Sequence, residues 1–371
     1  MWKIVFPGLA MIAVTYSLAR LSFGLFLPDI ANSLNLSEGE SGLIGSSAYV
    51  SYSFALFFSA KLIRKLGQHK VLIIAGLTAV IGLLGIATAH SFSYLVLSML
   101  VAGIGSGLAS PALSQISKDA IPKNKLDQAN TWINSGTSFG VILTGPIVLL
   151  FSEYWRLSYF LFVLLAIVVL IWNFYSIPSI NVHKKNKVEH HTKWLFAMIK
   201  AKNLLLASLI IGISSSIYWT FSRSYLVMEY RISTNESVIF WIVMGLAGIV
   251  GGVAGGIIHK VGLSWSYRIL LFILLISMVL LTFPKGFAIY LSAVTFGSSY
   301  IFLTGLFIVW SIRLFKDLPA LGVSLSFLAL GLGQSIGSFF AGMMIEMTNY
   351  PISFTLYAAI GLLGLFIPIE E

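Results

Sequence analysis

The stretch SAKLIRKLGQHK, residues 59–70, gathers Lys61, Arg64, Lys65, His69 and Lys70 around one Gly67 and lies between two long apolar runs. Cations packed into a short connection between oily segments mark a loop kept on the cytoplasmic side of a membrane, where Lys and Arg are retained as the flanking helices insert. The rest of the chain agrees with that reading. Of its 371 residues 58% are hydrophobic and 10% charged, and a mean hydropathy of +0.93 is foreign to water-soluble domains.

A hydrocarbon core of about 30 Å takes roughly 20 apolar residues per helix. Apolar runs recur at 4–28, 41–62, 71–89, 93–117, 127–150, 157–177, 203–228, 237–258, 266–283, 287–311, 321–346 and 352–368. The pattern predicts an all-α membrane protein of twelve transmembrane helices, with no soluble domain. Breaks are expected at Pro28 with Asn32 and Ser33, at Ile121-Pro122, at Pro178, at Pro284-Lys285-Gly286, at Pro319 and at Asn349 to Pro351. The first run is too long for the apolar part of a signal peptide and is read as the first span. Cysteine is absent, which excludes disulfides, thiolate metal sites and thiol nucleophiles.

With the amino end placed inside, eighteen of the 23 Lys and Arg fall at inner connections. Arg156, Arg231 and Lys285 are outer, and Arg20 and Arg223 lie within spans. Both termini are therefore expected in the cytoplasm of a bacterial inner or plasma membrane. The net charge of +10 is read as a topology signal and a contact with anionic lipid heads, not as a nucleic-acid footprint. The longest hydrophilic segment divides the chain into a bundle at 1–177, a cytoplasmic linker at 178–202 and a second bundle at 203–371.

The opening stretch has a second copy. AKLIRKLG (60–67) recurs as GGIIHKVG (255–262), each after the second span of its half, and SEGES (37–41) is echoed by STNES (233–237). Such a repeat implies two pseudo-symmetric six-helix halves, suited to alternating access around a midplane site. Arg64 and Lys65 before Gly67, and His259 and Lys260 before Gly262, are read as paired inner-gate turns.

On these motifs the chain resembles the major facilitator superfamily over essentially its whole length. The stretch around Gly67 is similar to the family's G-x-L-a-D-r-x-G-r-k loop, with Ala60 at the first glycine, Arg64 at the aspartate, and Gln68 and His69 at the trailing basic pair. GIGSGLASP (103–111) resembles the fourth helix, with Met99 where arginine is common. GVILTGP (140–146) resembles the glycine-proline motif of the fifth, and WRLSYF (155–160) the start of the sixth. The resemblance implies that the first and seventh helices line a central cavity. It also implies solute transport without a cofactor, and phosphate exchangers of the superfamily use paired arginines on those two helices.

Arg20 and Arg223 occupy those helices. A guanidinium in hydrocarbon costs roughly 2.5–3.5 kcal/mol even on insertion scales. Arg20 precedes Pro28 by eight residues, about 12 Å at 1.5 Å per residue, which is too deep to snorkel. None of the acids lies mid-span. Three readings stand: an anion site in which two guanidinium forks grip a carboxylate or phosphoryl group, structural cations paired with Asp29, Glu229 or Glu346, or cations hydrated in a cavity. Tyr49, Tyr52, Gln115, Asn134, Tyr218, Trp219, Tyr300 and Gln334 are the further candidate substrate contacts.

The six histidines lie in loops or at span ends without metal-binding spacing, and no nucleophile has a base in reach, so neither metal nor enzymatic chemistry is expected. The expected function is secondary active transport of a small organic anion by a monomer, coupled to a proton or to an exchanged anion. The alternative is efflux of drugs or lipophilic compounds, which in cation/proton antiporters needs a membrane-buried carboxylate this chain does not show. The cysteine-free background makes the topology testable. Single cysteines at Lys65 and Lys260 are expected to label from the cytoplasmic side alone, and labelling from opposite sides refutes the twelve-span arrangement.

Overall fold

The computed structural model describes residues 1–151, 154–178, 198–253, 258, 260–315 and 319–369. Among them eleven helices are long and apolar enough to cross a membrane. These are α1 (Trp2–Leu34), α2 (Glu38–Leu66), α3 (Gln68–Ala87), α4 (Phe92–Ala120), α5 (Lys123–Leu150) and α6 (Trp155–Ser176), followed by α7 (Lys202–Met228), α8 (Thr234–Gly251), α9 (Leu263–Leu280), α10 (Gly286–Leu314) and α11 (Leu321–Met347). The shorter apolar α12 (Tyr350–Phe366) completes the set. Most of the linker expected at 178–202, and His259, lie outside the described residues.

The repeated sequence forms repeated structure. Ser37 caps α2 by accepting from the Glu40 backbone N–H, and Ser233 caps α8 by accepting from the Glu236 N–H. Gly67 and Gly262 both stand at φ +87°, with ψ 150° and 156°. That region is nearly closed to residues with a Cβ, so both glycines are required to turn the chain sharply between consecutive spans. Helix pairing repeats as well: α2 against α4 is matched by α8 against α10, α3 against α6 by α9 against α12, and α1 against α5 by α7 against α11.

Across the pseudo-repeat, α2 packs on α11, α5 on α8 and α1 on α7. The end carrying the basic turns is called inner, and the tightest of these crossings lie towards the outer end. A Cβ added at Gly342 would collide with the Glu38 carbonyl, and one at Gly24 with the Trp219 carbonyl, so the backbones touch there. Ser46 Oγ donates to the Ser335 carbonyl (2.8 Å) and Ser338 Oγ to that of Gly42 (3.2 Å). Small residues at such crossings bring helices close where no hydrophobic driving force separates protein from lipid. In this conformation the outer end is shut.

The break expected at Pro28 does not occur. α1 runs through it to Leu34, with Asn35 as its left-handed cap. Packing against α7 keeps the segment helical, since neighbouring helices re-satisfy backbone groups that a proline frees. Asp29 therefore projects from a helix instead of a loop. At its centre α1 opens into a wider π segment, Ala13–Leu21, a rare geometry that tends to accompany functional positions.

The two φ-positive turns give a stability prediction. Gly67→Ala and Gly262→Ala should each destabilise the protein by about 1–3 kcal/mol through backbone strain. Gly286→Ala, at a helix start with open space around its Cα, should be neutral. Thermal unfolding of the three variants in detergent checks this.

Candidate functional site

Arg20 lies in the π segment of α1 and is 7% exposed. Its guanidinium carbon sits 4.7 Å from the ring centre of Tyr16 on the same helix, and 5.1 and 4.4 Å from those of Tyr49 and Tyr52 on α2. Nε and Nη1 are buried and have no hydrogen-bond acceptor among the described residues. Cation–π contacts of about 0.5–2 kcal/mol each offset much of the cost of taking the cation out of water. They leave these two donor groups unsatisfied, at about 1–3 kcal/mol per donor. The geometry holds a cation while leaving its directional valence vacant, which is the requirement for gripping an anion.

The other half closes on this cage. Gln334 Nε2 on α11 donates to the Tyr300 hydroxyl on α10 (2.9 Å), and Tyr300 lies within electrostatic reach of Arg20 and Tyr49. A Cβ at Gly331 would strike the Tyr52 ring, so α11 abuts the cage directly. Trp219 on α7 meets Tyr300 edge-on at 5.2 Å. Thus Arg20, Tyr49, Tyr52, Tyr300, Gln334 and Trp219 come together, drawn from five helices of both halves. Tyr16, not anticipated from sequence, joins them. Its spacing of four from Arg20 is the signal that placed it on the same face.

Arg223 does not join them. Its Nη1 pairs with Asp29 Oδ2 at 2.6 Å and also donates to the Leu25 carbonyl, while Nε donates to Ser237 Oγ at 3.1 Å. All three acceptors lie at the outer closure, two of them on α1, so the expected convergence of two guanidiniums is replaced by a latch between halves. Of the three acids named as structural partners it is Asp29 that pairs, because α1 stays helical past Pro28 and carries it to Arg223. Its carboxylate lines an outer cavity of about 710 Å³ that also holds Trp155 and Arg156, away from Arg20.

Three more candidates sit elsewhere. Tyr218 stacks on Phe296 at 3.7 Å and hydrogen-bonds Ser292 Oγ at 2.7 Å inside its own half. Gln115 donates to both Asp119 oxygens at 3.0 and 3.1 Å, and Gln68 to Oδ2 at 3.2 Å, tying α3 to α4 at the inner end. Asn134, half-buried, ends the first part of α5 just before its break at Ser135. Of the expected gate residues, Arg64, Lys65 and Lys260 are exposed beside the two glycine turns. Among the described residues no three of His, Asp and Glu converge as metal ligands.

A family model described as Major Facilitator Superfamily matches residues 9–319. The chain is 23% identical over 362 residues to the transcription regulatory protein OpdE of Pseudomonas aeruginosa, covering 92% of this chain and 87% of that one. It is 24% identical over 364 residues to the hexuronate transporter of Bacillus subtilis, covering 90% and 85%. The crystal structure of a D-xylose-proton symporter superposes with a TM-score of 0.81 at 14% identity, over 99% of this chain and 98% of the other.

The two arginines should respond oppositely to Arg→Met replacement. Arg223→Met strands Asp29 and should cost about 1–3 kcal/mol, the loss of a buried pair discounted for the partial exposure of Asp29. Arg20→Met removes an unsatisfied buried cation and should leave stability unchanged or higher. Thermal unfolding compares them directly, and an equal loss at both positions overturns the distinction.

Proposed function

The chain belongs to the major facilitator superfamily, and from that premise we propose that the solute it carries is a small organic anion whose acid group seats on Arg20. Members of this family are secondary transporters of the membrane, not enzymes, and this chain is a multi-pass membrane transporter of that kind. The observation that carries the choice of solute is the pair of unpartnered N–H groups on a buried guanidinium among aromatic rings. A carboxylate oxygen accepts a charge-assisted bond from either of these donors. The likeness to a hexuronate transporter supports the same class. Drug efflux is the weaker reading, because the cage offers a charged donor and no carboxylate to a cation.

Seen mechanically, an anion on Arg20 binds α1 and α2 of one half within reach of Tyr300 and Gln334 of the other. Occupancy then pulls the halves together around the solute, and the latch between Arg223 and Asp29 keeps the outer end shut while the inner end releases it. The glycine turns with Arg64, Lys65 and Lys260 form the inner-gate counterparts. A plasma membrane with both termini in the cytoplasm suits the distribution of cations.

A panel of organic anions added to purified protein should include members that raise the unfolding temperature, since a ligand of the native state alone stabilises it. Arg20→Lys keeps the charge and loses the planar fork, so binding of those anions should weaken by about 1–3 kcal/mol. Wild-type affinity in folded Arg20→Lys protein refutes the assignment.

A further inference from the structure

Trp219 and Trp241 are 3% and 1% exposed, and the Nε1–H of each is buried without an acceptor among the described residues. Burial excludes the interfacial belt role in which tryptophan anchors a helix at the lipid headgroups. Several serine hydroxyls are also unpartnered, but a hydroxyl turns readily towards a carbonyl of its own helix. An indole carries one donor in a fixed direction and has no such escape. The two rings meet edge to face at 5.9 Å, and Trp219 is edge-on to Tyr300 at 5.2 Å. The Tyr300 hydroxyl accepts from Gln334, which leaves its own hydrogen free to donate. Gly24, one helical turn beyond Arg20 on α1, touches the Trp219 backbone, so Trp219 enters from the outer side of Arg20 and reaches Tyr300, with Trp241 packed against it.

Resting on the anion reading of Arg20, we propose that Trp219 and Trp241 form a second recognition point, which accepts a hydroxyl or carbonyl oxygen of the solute several bonds away from its acid group. The central site then holds donors at both ends, Arg20 below and two indoles with Tyr300 above, separated by tyrosine rings. A solute that answers it is a hydroxylated carboxylate. A plain alkyl acid of equal length satisfies Arg20 and strands the roof. Trp241 was not among the residues that sequence singled out, because one tryptophan of nine at mid-depth of an apolar span carries no mark of an unfilled donor.

Gluconate and hexanoate share a six-carbon chain and a single carboxylate, and differ in hydroxyl groups. Their affinities for the purified full-length protein are measured by thermal stabilisation, for wild type, Trp219→Phe, Trp241→Phe and Arg20→Gln. Wild type is expected to bind gluconate about tenfold more tightly than hexanoate, and each Trp→Phe change to cut that ratio about three- to fivefold, the scale of one neutral hydrogen bond. If both acids bind in an Arg20-dependent way and the ratio is the same in wild type and both tryptophan variants, the roof is overturned and the anion site stands. If neither acid binds while another organic anion binds through Arg20, the roof is overturned and the anion site stands; if no organic anion binds, or binding survives Arg20→Gln, the anion reading itself falls and this one with it. Should a tryptophan variant not fold, indole N–H resonances of the ¹⁵N-labelled wild type decide: gluconate moving two that hexanoate leaves in place supports the roof, and identical spectra overturn it.

Discussion

A positive charge held in a low-dielectric interior without a counter-charge sets the terms for this protein. Arg20 is buried and pairs with no acid among the described residues, so its environment must make a guanidinium tolerable without neutralising it. Three tyrosine rings do this through their faces, which stabilise a cation and leave its N–H edge unoccupied. A carboxylate in their place would pair with the arginine and fill those donors.

The second buried arginine obeys the same electrostatics with the opposite outcome. Arg223 meets Asp29, a backbone carbonyl and a serine hydroxyl, and its bonding capacity is largely taken up. The difference lies in what each helix meets. α7 crosses α1 at its outer, acid-bearing part, whereas Arg20 faces the tyrosines of α2. One cation therefore fastens the halves and the other remains available between them. Both duties need the close crossings at Gly24 and Gly342, where a single added methyl group would separate backbones that now touch.

Duplication explains much of the remaining architecture. The serine caps at Ser37 and Ser233 and the glycine turns at Gly67 and Gly262 fix the entry and exit of the second helix in each half. The basic residues beside those turns drifted in identity while the glycines kept the same backbone angles. Backbone geometry constrains those positions more tightly than the side-chain chemistry around them.

Sequence alone was sufficient for the class of fold, the twelve apolar segments and their repeat, because hydrocarbon thickness and backbone satisfaction leave a spanning chain few options. It also sufficed to single out Arg20 and Arg223, since buried charge is conspicuous in an apolar span. It could not tell them apart, because whether a guanidinium is paired depends on what a distant helix brings alongside it. The continuation of α1 past Pro28, which delivers Asp29 to Arg223, is a consequence of packing against α7. Tyr218 and Trp219 are neighbours in sequence and both meet Phe296, yet Tyr218 ends on Ser292 while Trp219 reaches Tyr300 of the cage. Adjacent residues on a helix point about 100° apart, and only the arrangement of surrounding helices decides which of those directions is the cavity.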